Sequence, residues 1–316
     1  MTMHTTGIHH ITAFARDPQA GVDFYAGILG LRLVKRTINF DAPEVYHLYF
    51  GDHAGSPGTI ITFFPWPDSR KGKVGGGQVG ITTYAVPPGS LDFWEARLRR
   101  YGISVMKATR FGEHYLQFSD NEGLRLELVE RAAGERSEWS FGGVPADKAI
   151  KGFGGAVLFS ANAAKTMELL ESVMGLSRLG SDQGYVRFQS AGEIGNLIDV
   201  PEADIEWGAG GAGTVHHIAW RAADYEEHEA WQQEVFRAGY QPTQIIDRQY
   251  FNAIYFREAG GILFEIATDP PGFAHDEPAE TLGERLMLPA WLEENRAQIE
   301  ANLLPIRVRK PEEASP

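Results

Sequence analysis

The sequence contains no cysteine among its 316 residues. Disulfide bonds, thiolate metal sites and cysteine nucleophiles are therefore all excluded. Basic residues are also in the minority, because 29 Lys and Arg stand against 42 Asp and Glu, for a formal net charge of −13. A nucleic-acid binder needs clustered basic side chains that neutralise phosphates, so we expect no nucleic-acid partner.

Long apolar runs are missing as well. No stretch of 18 apolar residues occurs, so no membrane span is expected. Residues 1–7 lack the basic start and the apolar stretch of a secretory signal. Apolar residues still make up 43% of the chain, enough for a normal packed core. The sequence thus predicts a globular, cytoplasmic protein.

One pattern of elements occurs four times, near residues 7–65, 77–130, 152–200 and 214–268. Each copy has a β-branched and aromatic strand, an amphipathic helix and three further strands. The helices of copies 1 and 3 end alike, at Leu29-Gly30-Leu31 and Met174-Gly175-Leu176, as expected of a glycine placed after the last helical turn. The pattern predicts four βαβββ modules.

A single βαβββ module has an open sheet edge and half a core, so modules should pair into curved sheets. The predicted fold class is therefore α+β, with two domains of curved mixed sheets. Residues 132–152 form the predicted linker between the halves of the chain. Residues 276–316 are expected to add a helix near 289–304 and a frayed polar tail.

His-His doublets occur twice although the chain has only ten histidines. Composition alone gives about 0.3 such pairs. The doublets His9-His10 and His216-His217 fall at the same place in modules 1 and 4, where modules 2 and 3 have Val79-Gly80 and Gly155-Ala156. Surface histidines on a strand are the alternative interpretation of either pair alone. Because neighbouring strand residues point to opposite faces, only one member of each doublet should face a shared cavity; the alternation does not decide which.

If the doublets supply two ligands to a metal ion, the candidate for the third is Glu265, a carboxylate inside the apolar strand Ile262 to Ile266. Burying a carboxylate is costly unless it is paired or binds a metal, although a strand-edge Glu facing water is also conceivable. Glu127 has the equivalent position in module 2, but without histidines beside it we interpret it as structural. Module 1 has Thr62 near that position, and module 3 has Asp199.

Two imidazoles and one carboxylate on one face of an ion make a facial triad, which suits Fe(II) and oxygen chemistry; Mn(II) prefers similar ligands. If one ion binds ligands from modules 1 and 4, these modules must share a cavity. The predicted domains are then 7–65 with 214–268, bearing the metal, and 77–130 with 152–200. The second domain should be free of metal and of any titratable cluster.

The chain resembles the ring-cleaving dioxygenases of the vicinal oxygen chelate (glyoxalase/bleomycin resistance) superfamily, and is similar to hydroquinone 1,2-dioxygenases. The resemblance spans nearly the whole chain. The motifs that carry it are Gly7-Ile8-His9-His10-Ile11-Thr12, Phe24-Tyr25 through Leu29-Gly30-Leu31, Val215-His216-His217-Ile218-Ala219, and Asp247-Arg248-Gln249-Tyr250-Phe251 through Phe264-Glu265.

The resemblance implies that the metal ligands are His10, His217 and Glu265. It also implies supporting roles for His9, Thr12, His216, Arg248 and Tyr255. For Tyr255 the alternative is core packing, and for Arg248 it is a surface salt bridge.

The implied activity is Fe(II)-dependent insertion of both atoms of O2 into a hydroquinone-type ring. A small aromatic substrate and O2 are the expected partners, and a homo-oligomer is compatible with the sequence. One alternative is a glyoxalase-type isomerase or lyase, which would want a second carboxylate where Thr62 stands. Another is a metal-free binding protein of the same fold, against which the doublets argue.

Overall fold

Residues 3–313 of the chain are described by the computed structural model. Modules 1 and 2 contribute β1 (Ile8–Ala15), β2 (Arg32–Asn39), β3 (Ala42–Gly51), β4 (Ile60–Pro65), β5 (Gln78–Val86), β6 (Met106–Arg110), β7 (Glu113–Ser119) and β8 (Arg125–Glu130). Modules 3 and 4 contribute β9 (Gly152–Phe159), β10 (Ser177–Asp182), β11 (Tyr185–Gln189), β12 (Leu197–Pro201), β13 (Val215–Ala222), β14 (Ile246–Asp247), β15 (Phe251–Arg257) and β16 (Leu263–Pro271).

These strands form two curved mixed sheets of eight strands each, which confirms the predicted fold class. The first has the order β14-β15-β16-β13-β1-β4-β3-β2, and the second has the order β10-β11-β12-β9-β5-β8-β7-β6. The first strands of two modules lie side by side at the centre of each sheet, antiparallel to one another. One cluster of buried apolar side chains is continuous across both sheets.

Each module has one helix after its first strand. The helices are α1 (Pro18–Val22), which continues as a π-helix over Asp23–Ile28, then α2 (Leu91–Arg100), α3 (Ala163–Ser172) and α4 (Tyr225–Arg237). The matching glycines end their helices as predicted. Gly30 and Gly175 both have positive φ, and the amide after each donates to a carbonyl six residues back, from Leu31 to Tyr25 and from Leu176 to Leu170.

The C-terminal segment covers an open sheet edge. A 3-10 helix (Ala290–Asn295) leads into α5 (Arg296–Asn302), where the sequence predicted one continuous helix. Before it, the Met287 amide donates to the Arg36 carbonyl of β2, so the edge of β2 is not left free. The frayed tail was a wrong expectation for residues 304–313, because Arg309 forms an ion pair with Asp23. Residues 314–316 lie outside the described part.

No helix among residues 3–313 has both the length and the apolar character required to cross a membrane.

Candidate metal centre

Three neighbouring strands at the centre of the first sheet hold the predicted ligands. His10 lies on β1, His217 on β13 and Glu265 on β16. In the register of the sheet, Ala219 of β13 pairs with both His10 and Glu265, and Thr12 pairs with His217. The pairing of β1 with β13 therefore brings modules 1 and 4 together at one point.

The three side chains converge on one small volume. The Nε2 atoms of His10 and His217 are 3.3 Å apart. Glu265 Oε2 lies 2.9 Å from His217 Nε2 and 3.4 Å from His10 Nε2. Within residues 3–313, this is the one group of three His or carboxylate side chains whose ligand atoms could hold a metal ion.

The charge and burial of Glu265 fit a divalent cation. Its carboxylate is fully buried, and neither oxygen accepts a well-aligned hydrogen bond from the described residues. Burial alone would raise the pKa of Glu265, but the two imidazoles hold that pKa well below its usual range. Burial also lowers the pKa of His217, so this imidazole is neutral at pH 7. A buried carboxylate beside a neutral imidazole has the protonation state that metal binding requires.

Both histidine doublets lie at β-bulges. Between the pairs Ile8 with Trp220 and His10 with Ala219, the strand β1 has one extra residue, which is His9. The next irregularity in the same register inserts His216 into β13. A bulge breaks the alternation of side chains along a strand. The first histidine of each doublet is therefore not directed simply to the opposite face, as strict alternation would require.

The inserted histidines contact the ring of their neighbours. His9 Nδ1 is 2.9 Å from His10 Nδ1, and His216 Nδ1 is 2.8 Å from His217 Nδ1. Because the Nε2 atoms of His10 and His217 face Glu265, these Nδ1 contacts fix the orientation of both rings from behind. Burial, with the proximity of His10, holds the pKa of His9 well below its usual range.

We predict that His9→Ala and His216→Ala each weaken metal affinity by about 10–100-fold, because the partner that orients a ligating imidazole is removed. Titration of the metal-free protein with Mn(II) measures this effect. The exposed His114 belongs to the second sheet, so His114→Ala is the matched control and should leave the affinity unchanged. If His9→Ala abolished binding while His10→Ala preserved it, the assignment within the doublet would be reversed.

In the second sheet, glycines occupy the bulge positions that correspond to His9 and His216. The extra residues there are Gly80 in β5 and Gly154 in β9. The counterparts of the doublets are thus Gly80-Ile81 and Gly154-Gly155, each one residue away from the pairs proposed from the sequence. A lone glycine inside a strand often marks a bulge, so Gly80 did give an indication of this geometry in the sequence.

The two histidines of the triad border a cavity of about 280 Å³. His10, His216 and His217 line it together with two further predicted residues, Arg248 and Tyr255. Arg248 Nε donates to the Tyr255 hydroxyl over 3.3 Å, and its Nη1 reaches Asp41 at 3.0 Å. The other lining residues are Asn39, Phe40, Asp41, His47, Tyr49, Phe64, Thr243, Phe251 and Leu263.

Thr12 and His9 do not belong to the cavity lining. Thr12 is fully buried and bonds Thr62 through their hydroxyls at 2.8 Å. The ring of His9 packs edge-on against Phe251. Sequence reasoning missed His47, whose strand looks like ordinary core. On β1, His10 and Thr12 are two residues apart and therefore lie on the same face of the strand. On β3, no comparable motif in the sequence points to His47.

The second sheet contains a titratable cluster, so the expectation that it would have none was wrong. Register places Glu127 at the position of Thr62 and Asp199 at that of Glu265. The Arg110 guanidinium lies between these carboxylates, 2.9 Å from Glu127 and 2.6 Å from Asp199. All three side chains are buried. Two cations of the chain itself, Arg110 and also Arg187 at 2.7 Å from Asp199, thus pair with the two carboxylates. This pairing supports the interpretation of Glu127 as structural.

Paired βαβββ modules with two histidines and one glutamate converging at the sheet centre define a candidate divalent-metal protein. The chain matches the Glyoxalase/Bleomycin resistance protein/Dioxygenase superfamily over residues 7–128 and 152–266. It belongs to this superfamily.

Relatives match along almost the full chain. MhqO of Bacillus subtilis (strain 168), provisionally named a ring-cleaving dioxygenase, is 58% identical over 98% of this chain and 99% of its own. The chlorohydroquinone/hydroquinone 1,2-dioxygenase of Sphingobium indicum is 35% identical over 91% of this chain and 92% of its own.

Solved structures agree with this fold. A crystal structure from Bacillus subtilis subsp. subtilis str. 168, provisionally titled a dioxygenase, superposes with a TM-score of 0.97 at 58% identity, covering 98% of this chain and 100% of that one. Glyoxalase I from Zea mays superposes with a TM-score of 0.62 at 12% identity, covering 83% and 92% of the two chains. The latter likeness shows the fold alone.

Proposed function

We propose that this protein is an Fe(II)-dependent dioxygenase that opens the ring of a hydroquinone-type substrate and adds both atoms of O2 to it. The observation that carries the proposal is the His10–His217–Glu265 triad, whose two histidines line an aromatic cavity. Three protein ligands on one face leave positions for substrate and O2. The names of the relatives, at 58% and 35% identity, support the same reaction.

The cavity suits a flat ring. Phe40, Tyr49, Phe64, Phe251 and Tyr255 supply aromatic walls, on which an aromatic substrate can stack edge-on or offset. The volume of about 280 Å³ is at the small end of ligand sites, which span about 300–1,000 Å³. We infer a substrate with one ring.

Arg248 and Tyr255 lie where they can stabilise the negative charge of a phenolate. Tyr255 pairs with Glu265 in the register, so it lies next to the triad. Burial, together with the charge of Glu265, raises the pKa of Tyr255 well above its usual value, so this hydroxyl stays protonated and can donate to an oxyanion. The guanidinium of Arg248 supports it with a fixed positive charge. Fe(II), when bound, supplies the activation of O2 toward an electron-rich ring.

Thr62 argues against the isomerase alternative. A second carboxylate at this position would complete a four-ligand site, but the Thr62 hydroxyl is already bonded to Thr12 and His47. We also propose that the sheet built from 7–65 and 214–268 is the metal-bearing domain and that 77–130 with 152–200 is a second, metal-free domain, with 276–316 as an appended segment.

The test is oxygen uptake by protein loaded anaerobically with Fe(II) or, separately, with Mn(II). We expect one O2 consumed per hydroquinone and both atoms of ¹⁸O-labelled O2 in a ring-opened product. Catechol serves as the comparison substrate. An isomerase consumes no O2, so metal binding without oxygen uptake on any diphenol would overturn the dioxygenase proposal.

A further inference from the structure

A chain of polar side chains begins at the cavity and runs into the half of the sheet that does not contain Glu265. The Tyr49 hydroxyl is 2.7 Å from His47 Nδ1, and His47 Nε2 is 2.8 Å from Thr62 Oγ1. The Thr62 hydroxyl in turn is 2.8 Å from that of Thr12. This chain crosses three strands, β3, β4 and β1. It contains no charged group, because Thr62 stands where a carboxylate would be.

Tyr49 is the counterpart of Tyr255 in the other half of the sheet. Tyr49 pairs in register with Thr62, as Tyr255 pairs with Glu265. Both tyrosines line the same cavity. Each also has a nitrogen partner, because Arg248 bonds the Tyr255 hydroxyl and His47 bonds that of Tyr49. The cavity thus offers two tyrosine hydroxyls from opposite halves of the sheet, only one of them beside the triad.

The Tyr49 hydroxyl, at the cavity end of the polar chain, can form one more hydrogen bond. Within the described residues, the Tyr49 hydroxyl bonds His47 and no other group, although a phenol can both donate and accept. Either tautomer of His47 completes the chain. With the proton on Nε2, Tyr49 donates to His47 and can accept from a ligand; with the proton on Nδ1, Tyr49 accepts from His47 and can donate. Burial and the proximity of His10 hold the pKa of His47 well below its usual range, so the ring is neutral.

We propose that Tyr49, held and polarised by His47, binds the second hydroxyl of the substrate, the one opposite the oxygen held at the triad, and thereby selects para-diphenols over phenols without it. The inference rests on the proposed function and deepens it. A substrate with oxygens at opposite ends of one ring matches two tyrosines on opposite sides of one small cavity. A neutral polar chain suits an un-ionised hydroxyl, whereas Arg248 and Tyr255 suit the ionised one.

The experiment compares the Kd values of hydroquinone and phenol for the Mn(II)-loaded protein under anaerobic conditions, by titration calorimetry. Hydroquinone has two equivalent hydroxyls, which alone give it an advantage of about twofold. One hydrogen bond adds roughly 2–12-fold. We therefore expect wild-type protein to bind hydroquinone about 10-fold more tightly than phenol. Affinity for phenol serves as an internal measure of cavity integrity.

The variants are Tyr49→Phe, His47→Phe and His47→Gln. The two phenylalanine variants should reduce the preference to about twofold while affinity for phenol is retained. His47→Gln should preserve part of the preference, because an amide can donate and accept as an imidazole does. Tyr25→Phe is the matched control, since it removes a tyrosine hydroxyl bonded to Asp120 outside the cavity, and it should keep the wild-type preference.

The possible failures are distinguishable. If wild-type protein binds neither compound, the proposed function itself is contradicted. If wild-type protein prefers hydroquinone about 10-fold and Tyr49→Phe retains that ratio, the assignment to His47 and Tyr49 is overturned while the dioxygenase proposal stands. Should His47→Phe fail to fold by circular dichroism, Tyr49→Phe decides the question, because it removes one oxygen and adds no volume.

Discussion

Replacing any one of His10, His217 and Glu265 by alanine is expected to eliminate stoichiometric metal binding and to reduce turnover by at least about 10³-fold, since a catalytic metal supplies several kcal/mol of barrier lowering. Each side chain presents one ligand atom to the same small volume. Removing one leaves two ligands, which do not define a facial site. Metal analysis after anaerobic loading and dialysis measures the first effect, and oxygen uptake measures the second.

Thermal unfolding gives a readout that does not depend on activity. A metal that binds only the folded state stabilises it by about 2.7 kcal/mol when present at 100 times its Kd. Added Mn(II) should therefore raise the Tm of the wild-type protein and leave that of the three variants unchanged. Wild-type metal content in any variant would exclude that residue from the ligand set.

Glu127→Ala is the internal control for the loss of a buried glutamate. Glu127 lies on the last strand of its module, as Glu265 does, but its partners are Arg110, Thr83 and Gln117 rather than histidines. Its removal should lower stability and leave metal content unchanged. A protein that lost its metal on Glu127→Ala would show that the two sheets depend on each other for the integrity of the triad.

The sequence was sufficient to single out the two histidine doublets and Glu265 as candidate ligands, because each stands out from its strand. Glu265 is a charge among apolar residues, and the doublets repeat at matched positions. Helix ends were also predictable, since Gly30 and Gly175 adopt the positive φ that a chain reversal after a helix requires. These are local properties that neighbouring residues reveal.

What the sequence did not reveal depends on pairing between distant strands. The bulges at His9 and His216 arise from the register of β1 against β13, which no single strand encodes. His47 becomes a cavity residue only because β3 lies beside β4, where it meets Thr62. The cluster around Arg110 was unforeseen for the same reason, because Asp199 comes from another module 89 residues away.

The Arg110 cluster leads to the largest expected effect on stability. Arg110→Met would leave Glu127 and Asp199 buried with one cation fewer. Breaking a buried ion pair by removing one partner costs about 3–5 kcal/mol, because the remaining charge is uncompensated. Asp199 still has Arg187 at 2.7 Å, so the uncompensated charge falls mainly on Glu127. We expect the free energy of unfolding to fall by about 3–5 kcal/mol, measured as a shift of the urea midpoint by tryptophan fluorescence.

The double variant Arg110→Met/Glu127→Leu tests the physical reason for that loss. If the loss comes from the unpaired carboxylate, replacing both partners by apolar residues of similar size should recover most of the stability, since a buried pair often contributes little net free energy over an apolar pair. The stability loss of the double variant should then be much smaller than the sum of the two single losses, as expected for residues in one network. Metal content should be unchanged in both proteins, because the cluster and the triad belong to different sheets. Additive losses in the double variant would show instead that Arg110 stabilises the second sheet by packing, for example over the ring of Tyr115 at 4.3 Å.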